Sequence, residues 1–203
     1  MSLWSVLPIS SSWMRWNLFL ALVPLALSVI LFRLANRRSS LWWVGVLVFV
    51  AFLPNAPYIL TDIIHLVEDI QITESLLVNT LITVPKYAMF ILLGFGAYAL
   101  SLVNLGLYLN SQGLSRWVLP AELMLHGLSA IGVKLGRFER FNSWDLLVQP
   151  GQVLLGLFQN LTENQSLLFM VSGAGIIAAL YWGFKQIILA LMLRYQFIFS
   201  EPS

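Results

Sequence analysis

Apolar residues in this chain fall into long runs, broken by short stretches that hold most of the charge. The first run is Asn17 to Phe32, closed at once by Arg33, Arg37 and Arg38. The second spans Leu41 to Leu60, and at about 1.5 Å per helical residue it reaches about 30 Å, one hydrocarbon core. Lys86 to Leu109, Trp117 to about Val133 and Leu167 to Phe184 are three more of the same kind. The pattern predicts an all-α integral membrane helical bundle in one domain covering residues 1–203. Its five transmembrane helices are placed at about 17–33, 41–60, 86–109, 117–133 and 167–185.

Two apolar stretches are too short to cross. Leu76 to Val84 precedes Pro85 and is expected to lie along the interface. Pro150 to Leu161 has apolar residues at 153, 154, 157, 158 and 161, the spacing of one face of a helix lying in the interface. The stretch from Thr61 through Asp62, Glu68 and Asp69 to Glu74 holds four carboxylates and no Lys or Arg, and is expected to be an exposed acidic loop.

Composition agrees. Hydrophobic residues make up 59% of the chain and charged ones 10%, with a mean hydropathy of +0.84. Soluble domains carry about 25% charged residues, so this chain could not cover a water-facing surface. Eight Trp and six Tyr suit lipid interfaces. The bilayer is the expected partner. A net charge of +2, scattered along the chain, argues against nucleic acid. Without cysteine there is neither thiolate chemistry nor Cys-ligated zinc, and no cofactor is identified.

The first run has its positive charges after it, not before, and no small-residue site follows, unlike a cleaved signal peptide. It is expected to be an uncleaved span with its N-terminus outside and Arg37 and Arg38 in the cytoplasm. Five spans then leave the C-terminus cytoplasmic, in a bacterial plasma membrane. The arginine and lysine count supports this orientation by six inside to five outside.

Pro54-Asn55-Ala56-Pro57 interrupts the second run. Each proline removes a backbone donor, so this helix is expected to be kinked or broken, with the freed carbonyls satisfied by neighbours or by Asn55. Phe52-Leu53-Pro54-Asn55-Ala56-Pro57-Tyr58-Ile59-Leu60-Thr61-Asp62, with His65-Leu66, resembles the signature of a bacterial membrane family known as domain of unknown function 1361. Leu135-Gly136-Arg137-Phe138, Arg140 and Asn142-Ser143-Trp144-Asp145 resemble its second signature. The resemblance implies a multi-span membrane protein and no particular activity. It also leads one to expect an aromatic pair followed by an acid before the third span. Here Val84-Pro85-Lys86-Tyr87-Ala88 stands instead, so an acidic member of any shared site is absent.

Both signatures are expected on the outer side, where a compact bundle would bring Asp62, His65, Arg137, Arg140, Asn142 and Asp145 into one pocket. Asp62 and His65, three apart on a helix, can act as a base and its orienting carboxylate or ligate a metal; alternatively Thr61 or Asp62 caps the helix. Arg137, Arg140, Asn142 and Asp145 suit an anionic lipid or phosphorylated ligand; alternatively they pair internally with Asp62, Glu139 or Asp145. His126 sits near mid-bilayer, one turn from Glu122, and intramembrane ionisable groups face the bundle interior and mark function; alternatively it is a neutral histidine satisfied by Glu122 or a carbonyl near Pro54. Asn55 is either a ligand or a plug for the broken helix, and the plug is preferred. Gly132 and Gly136 would let helices approach closely.

Three functions stay open: a protein binding or acting on an anionic or lipid headgroup at the outer face, a small transporter using the broken helix and His126, and a structural or assembly protein. The first two predict a polar cavity and the third predicts internally paired charges.

Overall fold

The structure, a computed structural model, describes residues 12–35 and 37–199. Every element among them is helical. Five helices are long and apolar enough to cross a membrane: α1 (Ser12–Leu34), α2 (Ser40–Ile72), α3 (Leu76–Ser111), α4 (Ser115–Phe138) and the last, whose apolar span is Asn164–Tyr195. Before the last lies a short helix, α5 (Pro150–Thr162), and the last helix, α6, runs Asn164–Phe199. The chain is a multi-pass membrane protein.

The core lies around α3, whose apolar window is 56% buried against 17% for α6. A central helix in lipid must be apolar on all sides yet leave room for neighbours, and α3 does this with small residues. Gly94 is one: a Cβ there would collide with the side chain of Ile59 on α2. Ile59, Phe95, Tyr98 and Leu102 are almost wholly buried around this contact. Outward faces carry Leu41, Leu47, Leu76, Leu123 and Val171, all well exposed, as expected of surfaces that meet acyl chains rather than water.

The polar groups gather at two ends. At one end, hereafter the signature end, Asn17 of α1, Pro54 to Asp62 of α2 and Leu135 to Asp145 after α4 come together. At the opposite end Arg33 Nε donates to Asn104 Oδ1 at 2.6 Å, and Arg38 donates to Tyr108 and Gln112, each at 2.6 Å. There the final turn of α1 widens to a π-turn over Ile30–Leu34. The Trp42 indole donates to the Leu31 carbonyl in this turn at 2.9 Å.

The broken second helix is a sequence of short pieces. A regular helix Ser40–Phe52 gives way to one turn, Asn55–Tyr58, a 3-10 turn, Ile59–Asp62, and a closing helix, Ile63–Ile72. Asn55 Nδ2 donates to the Phe52 carbonyl at 2.8 Å, the plug expected from the prolines on either side of it. The chain does not leave the helix after the break, however. Thr61 to Ile72, expected as a loop, is helical: the turn Asn55–Tyr58 restarts the helix at the prolines, and the 3-10 turn that follows passes it on to Ile63–Ile72. Leu76 to Val84 also differs from expectation. It is not a separate interfacial helix but the start of α3, joined through a π-turn, Asn79–Thr83. Asn79 ties this start to the end of α2, donating to the carbonyls of Thr73 at 2.8 Å and Ile70 at 3.3 Å.

The short helix α5 forms as the apolar periodicity requires, but its two faces divide differently. Val153, Gly156 and Asn160 are buried against the bundle. Leu155, Phe158 and Leu161 are exposed, an apolar face available to lipid.

Candidate functional site

The two signature segments meet. Gly132 and Gly136 of α4 lie against the proline-broken stretch of α2: a Cβ on Gly132 would come within 2.5 Å of Pro54, and one on Gly136 within 3.4 Å of the Tyr58 ring. The absence of a Cβ at Gly132 lets α4 close on α2, and two polar ties cross the contact. Asn55 Nδ2, besides plugging Phe52, donates to Ser143 Oγ at 2.8 Å. Arg137 Nη1 stands 3.6 Å from Asp62 Oδ1. Asp62 is 1% exposed, and its other oxygen accepts from Asn17 Nδ2 at 3.0 Å. A buried carboxylate needs this much compensation. Thr61 donates to the Tyr58 carbonyl at 2.7 Å and Asp62 makes no capping bond, so neither residue caps the closing helix.

His65 turns elsewhere. Its Nδ1 is 3.0 Å from Glu68 Oε2, and its ring lies 4.7 Å from that of Trp13. No hydrogen bond joins it to Asp62 among the described residues, so Glu68, not Asp62, orients this imidazole. Asp145 is likewise committed: its Oδ2 accepts from the backbone of Asn142 at 2.6 Å and from Asn142 Nδ2 at 3.4 Å. That reciprocal turn, closed by Asp145 N donating to the Asn142 carbonyl at 3.0 Å, shapes the second signature. Among the described residues no group of three His, Asp or Glu side chains could hold a metal ion.

Between the segments opens a cleft of about 470 Å³. Asn55, Arg140 and Asn142 line its polar mouth together with Asn17 and Ser143, while Asp62, His65, His126, Arg137 and Asp145 stand outside its lining. Arg140 is the one charged residue on it among the described residues. Its guanidinium is exposed and has no ion pair or hydrogen bond there, and its backbone has a φ of 60°. The left-handed conformation ends α4, and residues with a Cβ adopt it at a cost of about 1–2 kcal/mol. Asn55 Oδ1 also has no partner among the described residues, since both its contacts use Nδ2. Asn17 and Ser143 are the site residues that spacing alone does not single out. Asn17's only signal is being the polar residue that opens an apolar run.

His126 belongs to a different cluster, deep in the bundle. Tyr98 OH and His126 Nδ1 share a hydrogen bond of 2.8 Å, and the Tyr181 ring lies 4.9 Å from the imidazole. Glu122 Oε1 accepts from Tyr181 OH and Lys185 Nζ, each at 2.6 Å. The histidine is thus satisfied by Tyr98, not by Glu122 or by a carbonyl near Pro54. Lys86, standing where the family resemblance leads one to expect an acid nearby, pairs with Asp69 at 3.4 Å, and Tyr87 OH donates to the same oxygen at 2.9 Å.

No curated protein and no solved structure matches the chain. A family profile does, over residues 16–180, which takes in α2, α3 and α4 whole, all but the first turn of α1, about the first half of the last apolar span, and both signature segments. The likeness read from those segments is therefore correct, and the chain belongs to the family described as protein of unknown function DUF1361.

Proposed function

We propose that this membrane protein binds an anionic group, a phosphate or a carboxylate, in the cleft between its two signature segments, at the outer face of a bacterial plasma membrane. One observation carries the reading: Arg137 is paired with Asp62, whereas Arg140, three residues on, stands at the cleft mouth without a partner among the described residues. A guanidinium in that position offers two parallel donors to an oxyanion. Asn142 and Asn55 add polar groups beside it. The orientation rests on the basic residues: six Lys and Arg, Arg33, Arg37, Arg38 and Arg116 among them, fall toward the opposite end and five toward the signature end, so the positive-inside tendency favours the signature end as the outer one.

The test is thermal unfolding of purified protein with and without inorganic phosphate at constant ionic strength. Ligand that binds only the folded state raises the transition. Wild type is expected to gain stability with phosphate, and Arg140→Gln to gain none. Equal gains in both proteins would sink the reading.

A second reading, a solute path through the bundle, is favoured by the buried cluster of Glu122, His126, Tyr98, Tyr181 and Lys185, since intramembrane ionisable groups mark pathways. It predicts phosphate uptake into proteoliposomes that Glu122→Gln abolishes. Phosphate binding without uptake leaves the cleft as a binding site alone.

A further inference from the structure

The mouth of the cleft is polar but its floor is not. Leu20 of α1, Val50 of α2, Leu128 and Ile131 of α4 and Leu157 of α5 line the remainder. Leu128 lies ten residues before Phe138, where α4 ends next to Arg140, about 15 Å along the helix and so about half of a hydrocarbon core. A free phosphate needs the mouth alone and would leave this apolar length either wetted or empty, both unfavourable.

The side wall points to what fills it. Between Asp145 and Glu163 the chain has no charged residue, so α5 can lie within the apolar layer. Val153 and Leu157 face the cleft, Leu155 and Phe158 face outward, and Leu154 does both, lining the cleft while 52% exposed. The floor is therefore continuous, over Leu154, with the surface that meets lipid.

Building on the anion-binding reading, we propose that the ligand is an amphiphile drawn from the bilayer, its anionic headgroup on Arg140 and its apolar chain along the floor to Leu128. The chain is held by close packing along the floor and not by escape from water, because the bilayer it leaves is as apolar as the floor. The headgroup fixes its depth.

The experiment compares inorganic phosphate with octyl phosphate, by calorimetric titration of the full chain in a neutral detergent. The proteins are wild type, Arg140→Gln and two variants that fill the floor independently, Leu128→Trp and Val50→Phe. Wild type is expected to bind octyl phosphate at least about tenfold tighter than phosphate, a difference of about 1.4 kcal/mol. Either floor variant that binds phosphate like wild type, and so is folded, should lose that advantage. If octyl phosphate binds wild type no tighter than phosphate, or keeps its advantage in the filled variants, the amphiphile inference is overturned and the anion site stands. If Arg140→Gln binds both ligands as wild type does, the anion site itself falls.

Discussion

Two polar clusters sit about fifteen residues apart on α4, and they are finished to different degrees. Around Glu122 and His126 each charge and ring is met by a close partner: Lys185, Tyr181 and Tyr98, at 2.6 to 2.8 Å. Around Arg137 and Arg140 one guanidinium is paired with a buried carboxylate and the other faces a cleft. Both clusters are conspicuous as sequence, the first because its charges lie inside an apolar run, where they cost energy, the second because it falls in a charged signature segment at the end of one. The comparison teaches that conspicuousness does not separate scaffold from site; the presence or absence of a protein partner does. A closed cluster locks helices together, here α3, α4 and α6, whereas an open one leaves interaction energy for something else.

The largest expected effect breaks the closed cluster. Lys185→Met removes the cation from a carboxylate that is 7% exposed, and breaking a buried pair from one side costs about 3–5 kcal/mol. The double variant with Glu122→Gln should recover much of that loss. Unfolding by added denaturing detergent measures both, and a single variant as stable as wild type would show the pair to be idle.

Asp62→Ala should cost less, about 1–3 kcal/mol. It strands Asn17 and Arg137, but the arginine side chain is 22% exposed and can turn to water. The same unfolding measurement reads it. A loss matching that of Lys185→Met would mean that the signature end is as closed as the interior cluster.

The smallest effect has the opposite sign. Arg140→Gly removes the left-handed strain and should stabilise the protein by about 1 kcal/mol, while abolishing the stability gain from phosphate. A variant that is destabilised instead would place Arg140 among the structural residues and remove the contrast between the clusters.

The sequence made the five spans legible because twenty-residue apolar runs have one physical outcome in lipid. The approach of the two signatures was legible too, from their shared side of the membrane, and Asp62–Arg137 and Asn55–Ser143 are its contacts. What periodicity misled on was the extent of α2 and α3. Prolines and acids at a span's end suggest a loop, yet Asn55 covers a carbonyl within the break and the helix continues, and Asn79 covers the carbonyls where it finally ends. Partner choice was legible only for Arg137, with Asp62 among its expected partners. His65 lies equally within reach of Asp62 and Glu68 along one helix face, and packing against Trp13 decides for Glu68. The partner of His126, Tyr98, comes from a helix 28 residues away, and spacing on α4 cannot reveal it.

The double duty of Asn55 bears on how the chain is born. Its link to Ser143 spans 88 residues, and ribosomes add about 5–20 residues per second. The broken helix must therefore wait on the order of ten seconds in the bilayer before its distant partner emerges. Throughout that interval the bond to Phe52, three residues back, is already available. A side chain in this position lets a proline-interrupted segment enter lipid early with its exposed carbonyl covered, and exchange nothing when the fourth helix arrives.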